Sequence, residues 1–505
     1  MPLRHIAITL ILLLCASGMH AQEPKNAGEA KAQSPSPGIF SLIPPDSVTS
    51  HVLKTPRGEL AYTATAGTLD LFGQDGSRTA KIFYTAYVEQ NPSSPRPLTF
   101  AFNGGPGAAS AYLHLGLVGP RVLEFGPTRD DGTMPELRDN PDSWLTFTDL
   151  VLIDPVGTGW SRAADGEVAS GFYGVNQDAD SLAKAIALYV QKNGRMAAPK
   201  YLLGESYGGF RSARVAAALK DKQGMLVSGI VMLSPLIEGR FLFGAGSGED
   251  PLAAALQLPA LAAAKLERQG NFSLERLAEA ERFAMNDYLV TLAGPSPTGE
   301  AADTFYRRVS EMTGVSEEVV TRTRGFVGDV YTKQSGSEGE IVSPYDAGYS
   351  KPDAYPETSY ARNDDPVLDG FTRAYGGAFA AYARNELNFV ADMTYTLLNE
   401  DVNRRWEWAT GRSGGSRATA SASTDIRDLL SVIPAFRLLV AHGYSDTLTP
   451  YGMSRYVLDH LPPRLAGDRT ALKLYHGGHM FYTDPVSRHA FFKDIAAFYR
   501  GGDVE

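Results

Sequence analysis

Tyr201-Leu202-Leu203-Gly204-Glu205-Ser206-Tyr207-Gly208-Gly209-Phe210 is the stretch that decides how this 505-residue chain is read. A short apolar run leads into a Gly-x-Ser-x-Gly turn, and 209–219 beyond it carries a helical pattern (GFRSARVAAAL). In such a strand–turn–helix unit the turn is too tight for side chains beside the serine, whose hydroxyl must stand exposed. The pattern recurs at Gly411-Arg412-Ser413-Gly414-Gly415, but there a Gly/Ser-rich polar loop surrounds it and no strand precedes it. Ser413 therefore reads as linker and Ser206 as the candidate nucleophile.

The texture around Ser206 extends the reading. Short apolar runs at 98–102 (LTFAF), 150–153 (LVLI), 201–203 (YLL), 230–233 (IVML), 437–440 (RLLV) and 471–475 (ALKLY) alternate with helical patterns. Between two of them Leu182, Ile186, Tyr189 and Val190 share one helical face, closed by Asn193-Gly194. Strands alternating with helices predict an α/β fold with a mostly parallel sheet. Residues 48–88 instead read as antiparallel strands, with a hairpin signal at Gln74-Asp75-Gly76. From 237 to 425 the rhythm breaks. Ala- and Leu-rich helical stretches (251–269, 273–292, 372–399) lie between polar Gly-rich segments, and no strong strand run appears. This predicts a large, mainly helical lid inserted between a first core segment, 46–236, and a second, 426–505.

A serine nucleophile needs a base, and the base needs an orienting carboxylate. Asp446 follows RLLVAHGY and His479 follows ALKLYHGG, both just past strand ends, where a parallel sheet places its site. The order Ser, Asp, His is that of α/β-hydrolases. Of nine histidines, His5 and His20 precede the core, His51 is in the early β region, and His460 and His489 fall in helical patterns. His442 precedes Asp446, and His476 is the nearest competitor. Glycines before His479 permit the close turn that favours it. Thr449-Pro450 reads as a helix start, with Thr as N-cap and Pro at N1. Asn103-Gly104-Gly105-Pro106-Gly107 supplies a Gly-rich loop after a strand whose backbone N–H groups can reach an oxyanion.

Composition bounds the function class. Apolar residues are 43% and charged residues 21%, as in globular proteins, and 47 Lys plus Arg against 57 Asp plus Glu gives a formal charge of −10. With no cationic run, nucleic acid is an unsuitable partner. Arg4 followed by nine apolar residues, Ile6 to Leu14, is too short to span a bilayer and reads as a secretory signal, 1–21, cut after Ala21. An exported protein, periplasmic or extracellular, with no stable membrane anchor is expected. Residues 22–45 are polar and Pro-rich, a flexible linker. Cys15 is the only cysteine, so signal removal leaves no thiol. No metal cluster or nucleotide fingerprint occurs, and no cofactor is expected. Oligomeric state has no sequence signal. Asn271-Phe272-Ser273 reads as a chance match to a glycosylation acceptor.

Taken in order, FNGGPG (102–107), NPDSW (140–144), LVLIDPVGTGWS (150–161), GESYGG (204–209), HGYSDTLTP (442–450) and HGGHM (476–480) resemble the serine carboxypeptidase family, peptidase S10, over about 98–235 and 430–485. The resemblance implies an α/β-hydrolase fold and release of C-terminal amino acids from peptides. It makes Ser206 the nucleophile, Asp446 the orienter and His479 the general base, with the oxyanion on the backbone N–H groups of Gly105 and Tyr207. Asn103 and Glu205, with Gly104 between the loops, fall where the family binds the terminal carboxylate, and Met480 where it lines the leaving-group pocket. A Glu beside a carboxylate must be protonated to donate, which favours acidic pH. Three departures stand out: Ala108-Ala109-Ser110 replaces the family's C-S-S, Leu117 stands where a second acidic residue is usual, and Ala101 where a Trp is usual. An esterase or acyltransferase on the same triad is the alternative enzyme. A catalytically dead binding module would break the triad, which here is complete.

Overall fold

All six apolar runs become strands of one ten-stranded sheet. The computed structural model describes residues 38–56, 58–126, 131–244, 249–361, 365–410 and 414–501. The expected signal, its cut site, Cys15 and Ser413 lie outside them. The sheet's strands are β1 (Ser47–Thr55), β2 (Gly58–Phe72), β3 (Arg78–Glu89), β4 (Leu98–Phe102), β5 (Asp149–Ile153), β6 (Arg162–Ala163), β7 (Lys200–Glu205), β8 (Gly229–Leu233), β9 (Arg437–Gly443) and β10 (Thr470–Tyr475). Their order is β1-β2-β3-β5-β4-β7-β8-β9-β10, with β6 on β3. From β5 to β10 every pairing is parallel, whereas β1, β2 and β3 form the expected antiparallel start. The Gln74–Gly76 turn joins β2 to β3 as its Asp-Gly signal predicts.

The central strands are unbroken apolar runs because both sheet faces are covered. β4, β5, β7 and β8 are buried along their whole length. Alternate side chains serve opposite faces. Phe100, Leu202, Ile230 and Val440 pack with helices α1 (Val175–Lys192) and α2 (Tyr207–Gln223); Ala101, Leu203, Val231 and Leu439 pack with the C-terminal helix Pro485–Tyr499. In α1 the predicted face of Leu182, Ile186, Tyr189 and Val190 is buried, and Asn193 closes the helix by donating its side-chain N–H to Tyr189 O at 2.8 Å.

Residues 240–432 are mainly helical. Helix α3 (Pro251–Arg268) packs with Tyr288, Phe305, Val309, Val320 and Tyr331 into an apolar cluster distinct from the two beside the sheet. Local differences from the sequence reading have identifiable causes. The stretch 372–399 stays helical only to Asn385, because 396–399 is drawn into backbone bonds with the loops after β4 and β5: Ala109 N donates to Leu397 O, Asn399 N to Gly107 O, and Thr396 N to Gly159 O. A short hairpin, Glu340–Val342 with Ser350–Pro352, forms where no strand run is legible. Residues Ile39–Leu42, within the expected linker, form a 3-10 turn, and Ile43 is buried. No helix among the described residues is long and apolar enough to cross a membrane.

One buried ion pair locks the layer behind the site. Arg211 on α2 donates Nε–H to Asp178 Oδ2 on α1 at 2.6 Å and Nη1–H to the Asn103 carbonyl, its side chain wholly buried. Burial pushes the Asp178 carboxyl up, against the pull of Arg211, so desolvation costs more than the pairing returns. Arg211→Met leaves Asp178 buried and unpaired. It is expected to lower unfolding stability by about 3–5 kcal/mol, read by chemical denaturation, with Asp178→Asn/Arg211→Met recovering part of the loss.

Candidate active site

β7 ends in the turn that carries Ser206. Ser206 holds φ +60°, ψ −126°, a conformation strained for an L-residue. Its N–H donates to Leu233 O at 2.8 Å, and Leu236 N donates to its carbonyl at 3.2 Å. Gly204 is indispensable here, since a Cβ would lie 1.9 Å from Gly208 O. The strand thus turns straight into α2 and leaves Ser206 half-buried on the wall of a cavity of about 570 Å³, which Asn103, Gly105, Glu205, Tyr207, His479 and Met480 also line.

The loops after β9 and β10 bring Asp446 and His479 together. The His479 Nδ1–H donates to Asp446 Oδ2 at 3.0 Å, leaving Nε2 as the basic nitrogen. Asp446 Oδ1 accepts from the N–H groups of Leu448 and Thr449 at 3.0 and 2.9 Å. Burial would raise the Asp446 carboxyl, but His479 and His442 beside it hold it well below the usual range. Burial likewise lowers His479, and the Asp446 charge overrides that to leave it above its ordinary value. The close turn before His479 uses Gly477 at φ +107°, and His479 N donates to Tyr345 O at 2.6 Å. Ser206 and His479 share the cavity wall, but no hydrogen bond joins them in this structure; such bonds commonly tighten only with substrate bound.

The competing histidines separate. His476 is exposed and bonds Glu267 at 2.9 Å, away from the cavity lining. His442 is buried, with Nε2 2.8 Å from Ser454 Oγ and Nδ1 3.9 Å from Asp446 Oδ2. The expected role of Thr449 needs correction. Pro450, not Thr449, is the N-cap of Tyr451–Asp459, because the Thr449 hydroxyl is engaged 2.8 Å from Asp446 Oδ2 and 2.9 Å from Ser234 O.

Across from the Asp–His pair, the Asn103–Gly107 loop follows β4. A Cβ on Gly104 would meet Glu205 O and Tyr207 N, each at 2.6 Å, so only glycine lets this loop lie against the elbow. The Gly105 and Tyr207 N–H groups have no acceptor among the described residues. Tyr207 N opens α2, where first-turn N–H groups and the helix dipole favour negative charge. Asp154 anchors the loop's far end by accepting from Ser110 N and Ser110 Oγ at 2.8 and 2.7 Å.

Glu205 and Asn103 form a buried polar cluster. Asn103 Nδ2 donates to Glu205 Oε2, and Asn103 Oδ1 accepts from Leu113 N at 3.1 Å. Tyr482 OH lies 2.9 and 3.1 Å from the two Glu205 oxygens. Burial pushes the Glu205 carboxyl up to about 7, against His479, Tyr482 and Asn103, which favour its ionised form. Sequence reading missed Tyr482, whose only signal is its place three residues past His479. Leu117 is fully buried in an apolar cluster and does not line the cavity, so no second carboxyl reaches this wall from that position. Ala101 is likewise buried beneath the wall. Among the described residues no cluster of His, Cys, Asp and Glu could hold a metal ion.

Comparison with known proteins bears on this geometry. The family model described as serine carboxypeptidase matches residues 60–234. Serine carboxypeptidase-like 44 of Arabidopsis thaliana is 36% identical over 112 residues, 22% of each chain. Serine carboxypeptidase-like 45 of the same plant is 31% identical over 215 residues, 40% of this chain and 43% of that one. Carboxypeptidase sxa2 of Schizosaccharomyces pombe is 28% identical over 159 residues, 29% of each chain. The chain thus spans less than half the length of these relatives. The solved structure of Kex1, a prohormone-processing carboxypeptidase from Saccharomyces cerevisiae, superposes with a TM-score of 0.55 at 16% identity, covering 87% of this chain and 91% of that one; at that identity the likeness concerns the fold. The family match over 60–234 includes Ser206 and the Asn103–Gly107 loop, so this stretch is similar to the serine carboxypeptidase family, and the sheet has the α/β architecture that the Kex1 structure shares.

Proposed function

We propose that this protein is an exported serine carboxypeptidase that removes C-terminal amino acids from peptides through an acyl-enzyme on Ser206. One observation carries the reading: Ser206, His479 with Asp446 bonded behind it, and Asn103 and Glu205 with Tyr482 bonded behind them line one cavity. His479 Nε2 takes the Ser206 Oγ proton as Oγ bonds to the scissile carbonyl carbon, and the oxyanion rests on the Gly105 and Tyr207 N–H groups. The carbonyl reforms as the C–N bond breaks, with His479 returning the proton to the leaving amine. Water then attacks the ester by the reverse proton route, freeing Ser206. Asn103 and protonated Glu205 bind the terminal carboxylate, Gly104 lets the loop close on it, and Met480 lines the space for the leaving residue. The helical segment 237–425 serves as lid between core segments 46–236 and 426–505. Export rests on the apolar run after Arg4 and on the only cysteine, Cys15, falling within the expected signal.

A second reading, an esterase or acyltransferase on the same triad, is favoured by Leu117, which is buried away from the cavity and so brings no second carboxyl beside Glu205 from that position.

N-blocked peptides with a free C-terminal acid or a C-terminal amide, followed by mass spectrometry, decide between the two. Loss of one residue from the acid and not the amide is expected, with Ser206→Ala lowering kcat on the order of a million-fold. Turnover of simple esters with both peptides intact would establish the esterase.

The pH profile tests Glu205. Its carboxyl is neutral below about 7 and donates to the substrate carboxylate; above, it is anionic and repels it. His479 must be neutral to accept the Ser206 proton, so it sets the acid limb. For free-acid peptides kcat/KM is expected to be bell-shaped near neutrality, with an alkaline limb starting near pH 7. Glu205→Gln should abolish that limb, and ester substrates lacking a carboxylate should never show it.

A further inference from the structure

Two groups of residues can be distinguished by their contacts among those that line the cavity with Ser206. One holds Glu205, Tyr112 and Tyr345 with the Asp369–Arg373 pair; the other holds Leu236, Leu242, Phe243, Trp408 and Arg417. The second group is fixed beside the elbow by short steps. Leu236 N donates to Ser206 O at 3.2 Å, Trp408 meets the Tyr207 ring edge-on at 5.5 Å, and the Arg417 guanidinium sits 5.8 Å from the Trp408 ring and 5.7 Å from that of Phe243. Under the carboxypeptidase reading, on which this inference rests, the cluster of Asn103 and Glu205 takes the leaving residue. The Leu236–Trp408 side then takes the residue whose carbonyl is attacked.

Charge is distributed unequally between the two sides. Asp365 accepts from Ser343 Oγ and from the N–H groups of Tyr345, Val367 and Leu368. Asp369 and Arg373 neutralise each other through two contacts of 3.1 and 3.2 Å. Arg417 is the charged side chain of the acyl side. Its Nη2–H donates to Asn403 Oδ1 at 2.5 Å, and no carboxylate among the described residues pairs with it. Two aromatic faces and an amide thus hold a guanidinium on the cavity wall with no carboxylate paired to it among the described residues. A planar cation restrained in this way is suited to a bidentate carboxylate.

We propose that Arg417 makes the acyl side of the cavity selective for a penultimate residue with an acidic side chain, glutamate above all. The glutamate methylenes lie along Leu236, Leu242 and Trp408, and its carboxylate pairs with Arg417. A glutamine of the same shape lacks the charge that the guanidinium requires.

Equilibrium binding to Ser206→Ala protein tests this without turnover. Acetyl-Glu-Ala should bind about tenfold or more tightly than acetyl-Gln-Ala. The ratio should fall to near one in Ser206→Ala/Arg417→Gln, and Ser206→Ala/Arg417→Glu should prefer acetyl-Lys-Ala. Equal binding of the Glu and Gln peptides, absence of binding by both, or a loss in the Arg417→Gln protein that is the same for both would overturn the assignment. Turnover separates it from the function it rests on. If the intact protein leaves every free-acid peptide uncut, the carboxypeptidase reading falls. Arg417 is then judged by the kcat/KM ratio of p-nitrophenyl hydrogen glutarate to p-nitrophenyl valerate, expected to exceed one and to collapse in Arg417→Gln; a ratio of one overturns it.

Discussion

The Ser206 backbone at φ +60° is the constraint on which the rest of the molecule depends. A serine does not hold that conformation alone; the strand before it, the helix after it and the contacts on either side hold it there. β7 is paired in parallel with β4 and β8, which fixes where the chain must turn. α2 starts at Tyr207 and is anchored through Arg211 to α1 and to the Asn103 carbonyl. One guanidinium therefore couples the elbow helix, its neighbour and the Gly-rich loop. The strain at Ser206 and the burial of Arg211 and Asp178 belong to the same arrangement, in which local cost is offset by the packing of a large sheet.

Electrostatics divide the site into two kinds of carboxyl. Asp446 and Glu205 are both buried, yet their carboxyls are shifted in opposite directions. Two backbone N–H groups and His479 hold Asp446 ionised, whereas Glu205 faces an amide and a phenol and its burial dominates. An anionic Asp446 orients the imidazole, and a neutral Glu205 can donate. The difference comes from the donors around each group rather than from the residue type.

Much of this was legible beforehand. The six strand runs, the antiparallel start and the α1 face are periodicity signals, and long apolar strands report burial on both faces. The glycines before His479 mark the turn that sets it beside Asp446. A Thr-Pro pair in isolation is a helix cap, but the Thr449 hydroxyl lies against Asp446 instead. Tyr482 and the strap at 396–399 had no local signal, since each depends on groups far away in the chain: Tyr482 on Glu205, and the strap on backbone groups of the loops after β4 and β5.

The sequence by itself determined the alternation of strands and helices, the elbow, and the order of Ser206, Asp446 and His479, because each rests on residues within a few positions of one another. Tertiary structure alone decided that Glu205 is buried against Asn103 and Tyr482, that Leu117 turns away from the cavity, and that Arg417 lies near Trp408 and Phe243 on its wall. Those outcomes depend on desolvation and on contacts between distant segments. Neither quantity exists until the chain has closed around the cavity.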